Sequence, residues 1–259
     1  MHVVMFSSGK GGVGKSTIAA NVAYVLAARN KVLLVDFSAF DKTSSRMLAP
    51  GCQSRAGVYD LLMQFREAYG EAYEVETCEG LLKTLEVLPP GTLDERRVQW
   101  LEFSVLAKRV KNLMDMLLPY FSIVVLDYPG RTINLDPLAQ ALIMHVDHLI
   151  IVFDPNTAAL DEGAKLQNFV KKRYDPPPVV SVVLNMYDGG SYAVEGFRSP
   201  QGFYVEVPVD GVVKALGKTP KLQIIHKGVS ERWTKAIYTI AQNILAVKMR
   251  ARHTTRLLI

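Results

Sequence analysis

Residues 9–16 read Gly-Lys-Gly-Gly-Val-Gly-Lys-Ser, and the residues on either side decide how the stretch folds. Before it, His2 to Phe6 is a short apolar run; after it, Ile18, Val22, Val25 and Leu26 recur at helical spacing. A strand turning through glycines into a helix is the context that the G-x-x-x-x-G-K-[ST] pattern requires. The glycines let the backbone curl so that successive amide hydrogens converge where a Cβ would clash, and the helix adds its positive N-terminal end. Such a cradle suits the phosphates of a nucleotide. Gly9, Lys10, Gly11, Gly12, Val13, Gly14 and Thr17 form it, Lys15 neutralises charge on the β- and γ-phosphates, and the Ser16 hydroxyl is placed to ligate Mg2+. ATP or ADP with Mg2+ is the expected ligand.

Working outward, short β-branched runs alternate with longer helical stretches. The spacing predicts strands at 2–6, 31–36, 84–88, 121–127, 148–153, 179–184 and 203–207, several apolar throughout, as strands covered on both faces must be. Val58, Leu61, Leu62 and Phe65 mark one further helix face, and Leu106, Val110, Leu113 and Leu117 another. Strands alternating with helices imply an α/β fold: a doubly wound, mostly parallel sheet of seven to eight strands with helices on both faces. Turn residues at Pro89-Pro90-Gly91, Pro176 to Pro178 and Gly189-Gly190 fall between elements, and none resembles an interdomain linker. The chain therefore reads as one domain over 1–247 followed by a basic tail over 248–259. Gly70 to Cys78 is acidic and poorly periodic, and reads as a loop or a short irregular insertion.

A chain of 259 residues, 49% hydrophobic, has the material for a full core. The formal charge of +5 favours anionic partners without choosing among nucleotide, DNA and acidic lipid. Only Cys52 and Cys78 occur, without paired spacing, so neither a disulfide framework nor a four-thiolate metal site is expected within one chain, and a reducing cytoplasmic setting fits. The N-terminus lacks the pattern of a signal peptide, and no apolar run approaches the ~20 residues of a membrane-spanning helix.

The apolar strand Ile123 to Leu126 ends in Asp127, where a carboxylate faces the crevice in which such sheets bind ligands, so Asp127 is placed to hold magnesium through a water. The string from Lys10 to Thr17, KGGVGKST, resembles the deviant phosphate loop of the MinD/ParA ATPases, whose relatives include Mrp-type iron–sulfur carriers, the nitrogenase iron protein and tail-anchored-protein targeting ATPases. Residues 51–62, GCQSRAGVYDLL, and 85–91, LEVLPPG, are similar to the corresponding MinD stretches. The resemblance implies that Lys10 reaches across a nucleotide-sandwich homodimer to the partner's phosphates. It also implies that Asp36 supports the magnesium shell, as the first aspartate of a D-x-D motif. Ser38 stands where that motif has its second, water-orienting aspartate; a hydroxyl can hydrogen-bond a water but cannot take up its proton as a carboxylate can. Tight ATP binding with slow hydrolysis is the expectation, with Asp41 as a possible substitute. Asp127-Tyr128-Pro129-Gly130 resembles D-x-P-x-G but is one residue tighter. Asn185 matches the asparagine that reads the adenine edge, Pro208-Val209-Asp210 the P-x-D turn on the other side of the base, and Asp154-Pro155 through Asp161 the segment flanking the dimer face.

Val229, Trp233, Ile237, Ile240, Ile244 and Val247 predict a last core-facing helix, followed by Lys248, Arg250, Arg252, His253 and Arg256 and the apolar end Leu257-Leu258-Ile259. That end suits a solvated helix terminus, DNA or partner contact, or an anionic membrane surface. The leading functional expectation is an ATP-dependent, dimerising ATPase in spatial positioning or DNA partitioning, peripheral on membrane or nucleoid and triggered by a stimulating protein partner. The alternatives are a non-catalytic nucleotide sensor and a carrier of the Mrp or targeting type.

Overall fold

The computed structural model describes residues 1–39, 41–52, 56–64, 77–92, 95–117, 119–129, 136–155, 157–190, 198, 200–217, 219 and 221–257, with the side chains of 64, 157–163 and 251–257 also outside the description. Phe65, Gly130, Leu258 and Ile259, most of the 70–78 loop, and the side chains of Asp161, Arg252, His253 and Arg256 therefore lie outside it.

Eight strands form one sheet: β1 (Val3–Ser7), β2 (Val32–Asp36), β3 (Cys78–Glu79), β4 (Leu85–Leu88), β5 (Ile123–Asp127), β6 (His148–Phe153), β7 (Val179–Tyr187) and β8 (Tyr204–Pro208), in the order β3-β4-β2-β5-β1-β6-β7-β8. All pairs are parallel except β3 with β4. Strand residues alternate between two cores. Val3, Met5, Leu33 and Val35 face α3 (Val58–Gln64), α5 (Phe103–Leu117), α6 (Pro137–Ile143) and part of α7 (Thr157–Arg173). Val4, Phe6, Val32 and Leu34 face α1 (Lys15–Ala27), α2 (Thr43–Leu48) and α9 (Glu231–Leu257). Burial on both faces is why these strands read as continuous apolar runs. Two short helices, α4 (Glu95–Gln99) and α8 (Gly211–Leu216), follow β4 and β8.

One sequence expectation changes. The cysteines do pair: Cys52 and Cys78 form a disulfide within the chain, their Cα atoms 5.6 Å apart. Antiparallel pairing folds β3 back on β4, and Leu81 N donates to the Leu48 carbonyl at the end of α2, so residues 26 apart in sequence meet. The argument for a reducing compartment, which rested on unpaired thiols, loses its support, whereas two cysteines still make no four-thiolate site. Helix α9 runs from Glu231 to Leu257, and within it Lys248 is buried, its Nζ donating to the Ser122 carbonyl at 3.0 Å. No helix among the described residues is long and apolar enough to cross a membrane.

Candidate functional site

The loop from Ser8 to Gly14 leaves β1 at the carboxyl end of the sheet and enters α1 at Lys15. Gly12 and Gly14 have φ of 81° and 79°, left-handed values that favour glycine. Gly14 faces a second constraint, since a Cβ there would collide with the Asn185 amide. That amide braces the loop: Asn185 Nδ2 donates to the Val13 carbonyl at 2.8 Å, while Ser8 Oγ donates to the Lys10 carbonyl at 2.8 Å. The curled backbone walls a cleft of about 360 Å3 lined by residues 10–17, Ser8, Ser38, Ala39, Asp41, Thr43, Glu95 and Pro129. Its size suits a nucleotide's phosphates.

Lys15 is buried, and its Nζ forms an ion pair with Asp127 Oδ1 and approaches Ser16 Oγ at 3.3 Å. Asp127 Oδ2, equally buried, has no hydrogen-bond partner. Asp127 and Asp36 are register partners on β5 and β2, so two carboxylates lie side by side at the strand ends. Asp36 Oδ1 accepts from Ser38 N at 2.8 Å, and Oδ2 accepts from Ser45 N at 3.0 Å and Ser45 Oγ at 2.8 Å. Burial, reinforced by the Asp127 charge, pushes the Asp36 carboxyl up, against the hydrogen bonds from Ser45 and Ser38. An orphaned carboxylate oxygen beside a second carboxylate is a donor set that a hard divalent cation would satisfy. The residues present therefore fit magnesium.

Lys10 points elsewhere: its Nζ, nearly half exposed, pairs with Asp154 Oδ2 of the same chain at 3.0 Å. Asn185, expected at a strand end, lies inside β7 at an irregularity in the pairing with β8 and contacts the loop rather than lining the cleft. Pro208 ends β8, and Asp210 accepts from Val212 N and Val213 N as the cap of α8; neither lines the cleft. The structure thus brings Lys10 to Thr17 and Ser38 together around the cleft, sets Asp36 and Asp127 behind it, and leaves Asn185, Pro208 and Asp210 alongside. Glu95, 5% exposed, lines the same cleft and was invisible in the sequence, where Asp94-Glu95-Arg96-Arg97 looks like a solvated helix start.

A protein family described as an AAA domain matches residues 1–176. An iron–sulfur cluster carrier protein of Helicobacter pylori is 31% identical over 198 residues, 75% of this chain but 48% of that one, so the chain spans about half the length of this relative. A virulence plasmid ParA family protein of Chlamydia trachomatis, pGP5-D, is 25% identical over 73% of this chain and 70% of its own. Among solved structures, the septum site-determining protein MinD of Pyrococcus horikoshii, complexed with Mg-ADP, aligns with a TM-score of 0.71 over 94% of this chain and 95% of that chain, at 20% identity. A phosphate loop between β1 and α1, a parallel sheet with helices on both faces and a family match over two-thirds of the sequence agree: the chain belongs to the AAA-domain family of P-loop ATPases that includes MinD and ParA.

Proposed function

We propose that the protein is a nucleotide-switched ATPase that binds ATP with Mg2+, closes a homodimer around it and hydrolyses it slowly. The observation that carries this reading is the loop itself: left-handed Gly12 and Gly14 line a cleft at the start of α1, with Lys15 buried at its edge on Asp127. ATP gives Lys15 phosphate oxygens to bind in place of Asp127, and the carboxylate so released joins Ser16 and Asp36 as the groups that would hold magnesium. A magnesium ion held there would supply charge neutralisation on the phosphates while the γ-phosphoryl group passes to water. Asn185, with Pro208 and Asp210 beyond it, is assigned to the base side, next to the loop its amide braces. Ser38 donates its backbone N–H to Asp36 and presents to the cleft a hydroxyl where a proton-accepting carboxylate would speed hydrolysis, so turnover is slow.

Lys10 is the residue on which dimerisation turns. In the single chain Asp154 holds it, and binding of ATP offers a stronger anion across the two-fold axis. ATP then acts as a ligand with higher affinity for the closed pair than for the separated chains. The closed pair in turn acts in positioning or partitioning, on DNA or an anionic membrane, and a stimulating protein partner releases it. A carrier role for iron–sulfur clusters is disfavoured by the disulfide, which consumes both cysteines. The test combines calorimetry with gel filtration. Wild type is expected to release or absorb heat with Mg-ATP and to shift to a dimer, while Lys10→Ala keeps ATP affinity within about threefold and stays monomeric. Absence of heat with any purine triphosphate defeats the ATP reading, and a Lys10→Ala dimer indistinguishable from wild type defeats the role of Lys10.

A further inference from the structure

We propose that the Cys52–Cys78 disulfide is a redox-controlled clamp on the cleft: it holds α2 where nucleotide binding needs it, and a dithiol that opens it weakens binding. The proposal rests on the reading that the cleft binds ATP with Mg2+. Helix α2 joins the disulfide to the site. At its start, Thr43 lines the cleft, and Ser45 gives Asp36 Oδ2 two hydrogen bonds, from N at 3.0 Å and from Oγ at 2.8 Å. At its end, Ala49 N donates to the Ser45 carbonyl at 2.8 Å and Cys52 N to the Ala49 carbonyl at 2.9 Å, so a short relay of hydrogen bonds runs from Cys52 to the residue that holds Asp36. The helix has six residues, about 9 Å of rise, too few to stand on its own hydrogen bonds, so its placement is set by what fastens it. Met47 and Leu48 are buried in the core around α1, and the far end is tied to the β3 segment by Leu81 N on the Leu48 carbonyl at 2.9 Å and by the disulfide. The near end is held in a conformation that lysine disfavours: Lys42, the N-cap, has a left-handed φ of 46°, with its Nζ on the Gly91 carbonyl at 3.1 Å. A short helix entered through a disfavoured residue and closed by a covalent bond relaxes when that bond is cut.

The bond lies where a reductant can reach it. β3 is two residues long and pairs with β4 at the edge of the sheet, and both cysteines are partly exposed at the margin of the core. One thiolate of the dithiol attacks one cysteine sulfur; the Cys52–Cys78 bond breaks, and its electron pair stays on the other cysteine, which takes up a proton. The second thiolate of the dithiol then attacks the mixed disulfide, and the first cysteine leaves and is protonated in turn. The protein gains two electrons and two protons, and the dithiol becomes an intramolecular disulfide. Met47 and Leu48 keep α2 against the core afterwards, so one element loosens while the domain stays folded. With α2 in place about a tenth of the time, apparent nucleotide affinity falls about tenfold.

Full-length wild type, first as the disulfide and then reduced with dithiothreitol, is compared with the Cys52→Ser, Cys78→Ser double variant. Mg-ATP affinity is read by calorimetry, alongside melting temperature and a thiol count made after the reductant is removed under nitrogen. Reduction is expected to release the thiols of Cys52 and Cys78 and to lower affinity about tenfold, and oxidised glutathione to restore it. The double variant binds like reduced wild type, with or without dithiothreitol. Should the double variant fail to fold, recovery on reoxidation of wild type carries the control. A disulfide that serves stability alone lowers the melting temperature on reduction and leaves affinity within about twofold, and that result overturns the proposal. It is overturned as well if reduction tightens binding, if dithiothreitol weakens binding by the double variant, or if dithiothreitol releases no thiols from the folded protein. All of these leave the ATP reading standing, whereas a protein that binds no Mg-ATP in either state removes both.

Discussion

At the scale of single residues, the site stores its charge in one buried pair. Lys15 and Asp127 neutralise each other out of water, and each is costly without the other. Lys15→Ala therefore has two separable effects. It removes a charge-assisted contact to phosphate, worth a loss of about 10- to 100-fold in nucleotide affinity. It also strands a buried carboxylate, which lowers the stability of the nucleotide-free protein by about 3–5 kcal/mol. Combining Lys15→Met with Asp127→Asn removes the stranded charge, so most of the stability returns while nucleotide affinity does not. Urea titration of wild type, Lys15→Met, Asp127→Asn and the double variant, paired with calorimetry, checks this, and additive stability losses would count against the pairing. Lys15 and Ser16 were legible in the sequence because a phosphate loop is specified by neighbours in the chain. The Lys15 contact with Asp127 was not, since it spans 112 residues and depends on β1 and β5 lying side by side.

At the scale of elements, long apolar strands announced themselves and short or capped elements did not. β1, β2, β4, β5 and β6 fall within two residues of their expected limits because double-sided burial leaves an unbroken apolar run. β3 was missed: two residues carry no period, and only pairing with β4 makes them a strand. Asp210 carries a structural role that its sequence context, which resembles a base-flanking turn, did not announce: its Oδ1 accepts from Val212 N at 2.9 Å and Val213 N at 3.0 Å, and its Oδ2 from Ser230 N at 2.8 Å. One carboxylate thus caps α8 and fastens the turn that leads into α9. Partial burial works to raise this carboxyl, but hydrogen bonds from Val213, Ser230 and Val212 outweigh it and hold the group below the usual carboxylate range. A depressed acid contributes stability above its unfolded value, about 3.9, and loses it as pH falls through the lower folded value. Asp210→Ala should therefore cost about 1 kcal/mol at pH 7, as loss of a helix cap does, with the gap to wild type closing below about pH 4. Denaturant titrations at both pH values check the sign, and a gap that widens in acid would contradict it. Calorimetry on the same variant tells a cap from a base contact, since only the latter lowers nucleotide affinity directly.

At the scale of the whole molecule, the two-faced sheet was legible because its alternation of strand and helix runs through the entire chain. What lies at the far end of the sheet from the cleft was not. His148 opens β6, fully buried, with Nε2 2.7 Å from Ser181 Oγ on β7, which in turn accepts from Phe203 N at 2.9 Å. The Ser181 oxygen has a second lone pair besides the one Phe203 N uses, so the contact with Nε2 can run in either direction according to the tautomer of the ring. The ring meets Phe203 edge-on, at 5.4 Å between centroids, and His2 lies 6.0 Å away. Burial, followed by the charge His2 can carry, pushes His148 down to about 3. The unfolded histidine titrates near 6.5, so between that value and about 3 the unfolded chain binds a proton that the folded one refuses. The contribution of His148 to stability is complete above pH 6.5 and drains away as pH falls, by about 1.4 kcal/mol per pH unit. Buried Asp36, pushed up chiefly by burial, acts in the opposite sense, so wild type alone shows only the sum. His148→Gln isolates the term: it keeps a side chain able to hydrogen-bond Ser181 but cannot titrate. Its denaturation free energy, lower than wild type at pH 8, is expected to fall less steeply on going to pH 5, so that the two curves converge. Parallel curves over that interval would mean that His148 gains its proton without unfolding, and that this end of the sheet admits charge more readily than its burial implies.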